Sequence, residues 1–372
     1  MSLFVLAEFS GQPLGLTLVL GDLSELLELQ DAVKAMEHID VLNQQLEVRN
    51  ELLSKTFGMF FSDDIVNELL NKPDGLSPGG KKRNVTIMMS DLRGFTSISE
   101  KMDAQDLIGM LNHYLEKMTD VIQKRGGTIL EFMGDGILSV FGAPVVSQTH
   151  AADAVAAALE MENAMDEINR WNKEREYPYL EMGIGINTGE VSIGIIGSEK
   201  RMKYGAVGNH VNLCSRIESY TVGGQVLISS DTREEISVPL VVEKEMTVRP
   251  KGTTDEIVLY HVTGLGEPYN IQTAPGNDEL KKLHAPLPVC FFKLNEKQTM
   301  EKAYYGGILS VGHDSCVLET ETNLELFDSL QMKAGGRLQC KVMEKNENQY
   351  LLFYTYVPSG YEEWIRETLA MN

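Results

Sequence analysis

The chain lacks a basic excess: its 372 residues carry 33 Lys and Arg against 54 Asp and Glu, a formal charge of −21. That balance argues against nucleic acid and anionic membrane surfaces as partners. A compact polyphosphate delivered with a divalent cation stays compatible. Cysteine is scarce, and Cys214, Cys290, Cys316 and Cys340 have no paired metal-ligand spacing, so they read as reduced thiols buried as small hydrophobes. No apolar run reaches the roughly eighteen residues of a membrane span, and no signal peptide is evident. Leu14 to Leu20 is too short for a span and follows Gly11 and Pro13, which favours a strand. His113, His150, His210 and His261 show no ligand-like spacing and read as structural. A cytoplasmic location is the expectation.

The length calls for two or three units. Phe4 to Phe9 and Leu14 to Leu20 read as strands around a Gln12-Pro13 turn, too little for a core of their own. From Asp22 the pattern turns helical: Leu26, Leu29, Val33 and Met36 keep heptad-like spacing, and Ile39, Leu42, Leu46 and Leu53 continue after a slip. This predicts a parallel two-stranded coiled coil, followed by a connector that residues 62 and 63, Ser and Asp, are able to cap. After Pro73-Asp74-Gly75 and Pro78-Gly79-Gly80, strands alternate with helices. The expected elements are a buried strand over Val85 to Ser90, a helix over Ala104 to Lys124, and a hairpin of Thr128 to Met133 with Ile137 to Phe141. A helix over Ala151 to Arg170 follows, then a strand pair, Glu181 to Thr188 and Val191 to Ile196, around Gly189. That order is a split ferredoxin-like pattern. Residues 264 to 288, with four prolines, read as a linker. The rest alternates strand-like runs with turns and ends in a helix near Glu362 to Leu369.

Two acidic stretches carry the chemistry. Ser90-Asp91-Leu92-Arg93-Gly94-Phe95-Thr96 ends an apolar strand, and Glu131-Phe132-Met133-Gly134-Asp135-Gly136 forms the hairpin tip. In a ferredoxin-like sheet the hairpin lies against the first strand, so Asp91 and Asp135 can converge on divalent metal beside a phosphate chain. Gly94, Phe95 and Thr96 open a short helix whose free amides suit phosphate oxygens. Asn212 and Arg216, four apart in Val211 to Arg216, share one helix face. Lys200 and Arg201 read equally as phosphate contacts and as a solvated cluster in a flexible loop over 197 to 204.

Together these segments resemble the catalytic domain of class III nucleotidyl cyclases, over about Asn84 to Val262. The resemblance implies an α+β fold and cyclisation of a nucleoside triphosphate with release of pyrophosphate. It also implies two Mg2+ or Mn2+ ions per site, held by Asp91, Asp135 and the Leu92 backbone carbonyl. Asn212 would orient the ribose and Arg216 would steady transition-state charge, a task suited to its planar fork. Lys251, in Val248-Arg249-Pro250-Lys251-Gly252, inherits the terminal-phosphate role. Adenylyl cyclases typically have Lys three residues before the Gly-Asp and Asp or Thr after the conserved aromatic; here those base-binding positions hold Glu131 and Gly205. A carboxylate accepts from guanine N1 and N2 together but opposes the acceptor at adenine N1, so GTP is the expected substrate and cyclic GMP the product. Gly205 departs from the Cys common in animal guanylyl cyclases, leaving Glu131 as the main reader. The alternative is an adenylyl cyclase or one of relaxed base choice.

In that family the metal Asps come from one subunit and the base, Asn, Arg and Lys residues from its partner, which implies a homodimer with two equivalent sites. The expected organisation is residues 1–22 as the remnant of a PAS-like sensor in a longer protein, 23–80 as coiled coil and connector, 81–264 as cyclase domain and 265–288 as linker. Residues 289–372 form a small β-barrel-like domain that faintly resembles PilZ, without that family's ligand-binding arginines. The coiled coil would carry the upstream sensor's signal through helix register. A catalytically silent relay would show a lost metal Asp or a lost Asn/Arg pair, and neither is lost. The Gly-Gly-(Asp/Glu)-Glu-Phe hairpin of diguanylate cyclases is absent.

Overall fold

The computed structural model describes residues 23–58, 65, 79–198, 200–249, 256–274, 280–295, 298–358 and 360–371. The expected sensor strands before residue 23, most of the connector and Lys251 lie outside these. The chain divides into residues 1–71 and 72–372. In the first, α1 (Leu23–Gly58) is one 36-residue helix. Its heptad residues Leu29, Val33, Met36, Ile39, Leu42 and Leu46 are all exposed, an apolar seam that an isolated helix leaves in water.

The second unit opens with β1 (Gly79–Leu92), α2 (Phe95–Ser99), α3 (Ala104–Lys124), β2 (Gly127–Met133), β3 (Gly136–Phe141), α4 (His150–Lys173) and β4 (Met182–Ser198). It continues with β5 (Arg201–Val207), α5 (Asn209–Tyr220), β6 (Gln225–Ser229), α6 (Ser230–Glu235), β7 (Leu240–Val248), β8 (Ile257–Leu265) and β9 (Ile271–Gln272). The sheet order is β2-β3-β1-β4-β6-β8-β7, with β5 paired to β4 and β9 to β8. β1 runs antiparallel to both β3 and β4, so the first four strands have the ferredoxin-like order.

From Val85 on, β1 is largely apolar without alternation because it is covered on both faces. Met88 packs among Met110, Tyr114, Met118 and Met165 of α3 and α4, while on the α5 side the Cys214 Sγ lies 3.3 Å from the Ile87 and Gly185 carbonyl oxygens. Burial among apolar groups pushes the Cys214 thiol up, so it is a packing residue.

The expected strand pair around Gly189 is a single strand. Gly189 pairs with Val85 in an unbroken ladder from Leu92↔Met182 to Gly79↔Ile195. Its glycine makes room: a Cβ there would lie 2.2 Å from the His210 ring, and one on Gly185 would lie 2.3 Å from the Glu218 backbone nitrogen. These glycines let α5 lie directly on β4. The expected linker is also partly strand, since β9 pairs with β8 and the next strand begins at Lys281.

Strands β10 (Lys281–Asn295), β11 (Gln298–Val311), β12 (Ser315–Glu319), β13 (Ser329–Lys333), β14 (Arg337–Asn346) and β15 (Gln349–Tyr356) close a barrel in the order β10-β11-β12-β15-β14-β13. Phe291, Leu318, Leu338, Leu352 and Tyr354 fill it, and α7 (Tyr361–Met371) follows. The Tyr361 and Tyr354 hydroxyls meet at 2.5 Å.

Two half-buried acidic residues, Glu162 and Glu181, stand behind the β1 end. Glu162 of α4, whose Oε1 has no hydrogen-bond partner among the described residues, is pushed up to about 8 by burial and by Glu181. Glu181 is pushed up to about 7 by burial and by Asp314. Both hold their protons in the folded chain at a pH where the unfolded chain releases them. Their stabilisation is full below about 4.5 and is lost as pH rises through 7 to 8. Glu162→Gln is therefore expected to gain on the wild type as pH rises from 5 to 8, by on the order of 3 kcal/mol in urea unfolding. A stability difference independent of pH would contradict this.

Candidate active site

Asp91 sits one pair before the end of the β1 ladder, opposite Gly183. Asp135 occupies the β2–β3 turn after Gly134, whose φ of +69° suits glycine. Because β3 pairs with β1, Ser90 opposite Ile137, the turn lands beside the β1 end. There the Leu92 amide donates to Asp135 Oδ2 at 3.2 Å. A Cβ on Gly136 would lie 3.1 Å from the Ser90 carbonyl oxygen and 3.4 Å from Asp91 Oδ1, so the bare glycine lets both carboxylates share one corner. Two carboxylates beside a strand-end carbonyl are hard oxygen donors, a set that fits Mg2+ or Mn2+.

Arg93 fixes this corner from behind. Its guanidinium donates to the Asp91 carbonyl at 3.0 and 3.3 Å and to Glu218 of α5, and its backbone amide donates to the Glu181 carbonyl at 2.8 Å. Burial works against its charge, but Glu218 and Asp91 more than offset this and hold the guanidinium above its ordinary value. Gly94 follows at φ +66° and caps α2, which is only five residues long.

The two positions expected to read the base lie in a second cluster. Glu131 stands at an irregularity between Ile129 and Glu131 in the β2–β3 ladder. Its Oε2 lies 2.5 Å from Lys203 Nζ of β5, both side chains half exposed. Gly205, two residues along β5, pairs with Gly194 and is buried. The expected loop over 197 to 204 is instead largely strand, paired out to Ser198↔Arg201, with Tyr204 buried opposite Ile195. Arg201 already belongs to β5, and Lys200 and Arg201 are exposed at the turn.

α5 buries Cys214, Ile217 and Glu218 against the sheet. Asn212 and Arg216 lie on the opposite side of that helix, Asn212 exposed and Arg216 half-buried. Asp91, Leu92 and Asp135 are thus brought together, as are Glu131 and Gly205, while Asn212 and Arg216 face away from the strands that hold the carboxylates. The histidines serve packing: His150 Nδ1 bonds Thr86 at 2.8 Å, and His113 stacks on Trp171.

Lys203 and the Arg93–Glu218 pair escaped sequence reasoning. Lys203 sits two residues before Gly205, the strand spacing that puts two side chains on one face, and that was its one available signal. Arg93 and Glu218 are 125 residues apart, with no local pattern to join them.

Residues 79–264 match the sequence profile described as adenylate and guanylate cyclase catalytic domain. Adenylate cyclase 1 of Rhizobium meliloti (strain 1021) is 27% identical over 221 residues, 59% of this chain and 33% of that protein. The terminal-differentiation-specific adenylate cyclase of Dictyostelium discoideum is 36% identical over 185 residues, 48% of this chain and 9% of that protein. This chain thus spans a third or less of those relatives. Among solved structures, the guanylyl cyclase Cya2 is 54% identical, covers 53% of this chain and 100% of its own, and superposes with a TM-score of 0.52. With half its length matching the family profile and its paired carboxylates at one strand end, the chain belongs to the adenylate and guanylate cyclase catalytic-domain family.

Proposed function

We propose that the chain converts GTP to 3′,5′-cyclic GMP and pyrophosphate at sites shared by a homodimer. The observation that carries the reading is the 2.5 Å pair between Lys203 of β5 and Glu131, which stands on the same hairpin as Asp135. Glu131 accepts from guanine N1 and N2, and Lys203 supplies the donor for O6 that Gly205 lacks. The high identity to Cya2, which is named a guanylyl cyclase, supports GTP. The alternative, ATP or relaxed base choice, draws on the relatives named adenylate cyclases.

Asp91, Asp135 and the Leu92 carbonyl would hold two Mg2+ or Mn2+ ions, which when bound acidify the ribose 3′-hydroxyl and neutralise the phosphates. Arg93 keeps the carboxylate corner in place through the Asp91 carbonyl. Asn212 of the second protomer orients the ribose so that its 3′-oxygen lies in line with the α-phosphorus. The O3′–P bond forms as the bond from the α-phosphorus to the pyrophosphate oxygen breaks, and the 3′-hydroxyl proton passes to water. Arg216 stabilises charge on the reacting phosphate. Gly94, Phe95, Thr96 and Lys251 hold the remaining phosphate oxygens. The outward face of Asn212 and Arg216 supports a two-protomer site, and the exposed seam of α1 supports pairing of the coiled coils beneath an upstream sensor.

The test is a product assay on the purified chain with each triphosphate under each metal. Cyclic GMP with stoichiometric pyrophosphate is expected, with GTP favoured over ATP roughly ten to a hundredfold in kcat/KM. Equal or reversed preference would contradict the base assignment.

A further inference from the structure

We propose that the C-terminal barrel is a positioning element of the catalytic centre, with Lys341 as its principal contact. The inference rests on the cyclase reading above and extends it to a domain outside the family match.

Lys341 lies on β14 and is 5% exposed. Its Nζ donates to the Ser219 and Thr221 carbonyls, each at 2.7 Å, at the C-terminal end of α5. Carbonyls there have no partner within their own helix, and a cation suits that end of the dipole. Burial and the nearby Arg93 guanidinium push the Lys341 ammonium down to about 7, and a buried amine is unfavourable unless it is hydrogen-bonded; both bonds described for this one reach out of the barrel into the cyclase domain. Lys341 therefore belongs to the junction between the two folds.

The junction leads to the carboxylates. Thr221, which accepts from Lys341, also lies 3.5 Å from Arg93 Nη1, and Arg93 grips the Asp91 carbonyl and Glu218. On the other side, Tyr356 of β15 covers Gly94, where a Cβ would come within 2.7 Å of its side chain. The Lys101 ammonium donates to the Tyr356 hydroxyl at 2.8 Å, and Gln339 of β14 donates to the Ser97 hydroxyl at 3.3 Å. A five-residue helix such as α2 cannot hold its own shape. The barrel supplies the missing support, so the phosphate loop and the end of the Asn212/Arg216 helix are held by one rigid body. Misplacement of reacting groups by about 1 Å costs around a hundredfold in rate, so a contact that sets their spacing acts on turnover more than on substrate affinity.

The experiment compares wild type, Lys341→Met, Lys341→Arg and a control, Lys244→Ala. Lys244 pairs with Glu344 across the same junction without touching either loop. Lys341→Met is expected to lower kcat roughly ten to a hundredfold with KM changed less than about threefold. Lys341→Arg is expected to recover part of this, and Lys244→Ala to leave kcat unchanged. Hydrogen exchange read on the same proteins should quicken over residues 92–101 and 216–222 in Lys341→Met, while β11 and β12 stay protected. Unchanged kcat, or a loss that Lys341→Arg does not recover alongside faster exchange throughout the barrel, overturns the proposal. A wild type that forms no cyclic nucleotide would overturn the cyclase reading instead, and the exchange comparison would still decide whether the barrel orders the two segments.

Discussion

Asp135→Asn is expected to lower cyclic nucleotide formation about a thousandfold, equivalent to roughly 4 kcal/mol of lost transition-state stabilisation. The substitution keeps the side chain's shape and leaves an oxygen to accept from the Leu92 amide, now at 3.2 Å. What disappears is one of the two negative charges that would hold the cations. Folding should be nearly unaffected, with the melting temperature within a few degrees of wild type, since this partly solvated turn adds little to the core. Turnover within tenfold of wild type in a folded variant would mean that the carboxylate pair does not hold the cations the reaction needs.

The second large effect concerns the base. Glu131→Lys alone places an ammonium beside Lys203, whose Nζ is 2.5 Å from the present carboxylate, and like charges at that spacing repel. The single variant is therefore expected to lose GTP turnover at least about tenfold and to gain ATP turnover only weakly. Glu131→Lys with Lys203→Gln removes the repulsion and presents a donor to adenine N1 and an acceptor to N6, so ATP should then exceed GTP in kcat/KM. Retention of the GTP preference in both variants would show that the base is read elsewhere.

The catalytic half of the fold was legible because its elements carry local signals. The helix over Ala104 to Lys124 appears with those bounds, and the hairpin expected at Thr128 to Met133 with Ile137 to Phe141 starts one residue earlier in each arm. Apolar periodicity and turn glycines specify such pieces. Gly189 misled for the same reason: glycine marks a turn and also marks a strand against which another backbone lies, and only the packing of α5 on β4 distinguishes the two. β1 proved longer than Val85 to Ser90 because its polar first half is held by the β4 ladder rather than by burial. The contacts that tie the site together join residues far apart in the chain: Glu131 to Lys203 across 72 residues and Lys341 to Thr221 across 120. No periodicity reports such pairs. A lone Lys in a strand reads as a solvated charge, and Lys341 is buried only because the barrel docks on the end of α5.

The most direct measurement mixes two inactive proteins, one carrying Asp135→Asn and the other Arg216→Ala, after dissociation and reassociation in equal amounts. If each site takes its carboxylates from one protomer and its Asn212 and Arg216 from the other, half the dimers are mixed and each has one intact site, giving about a quarter of wild-type turnover. No recovery, with mixed dimers present by mass, would contradict a site built from two copies of the chain.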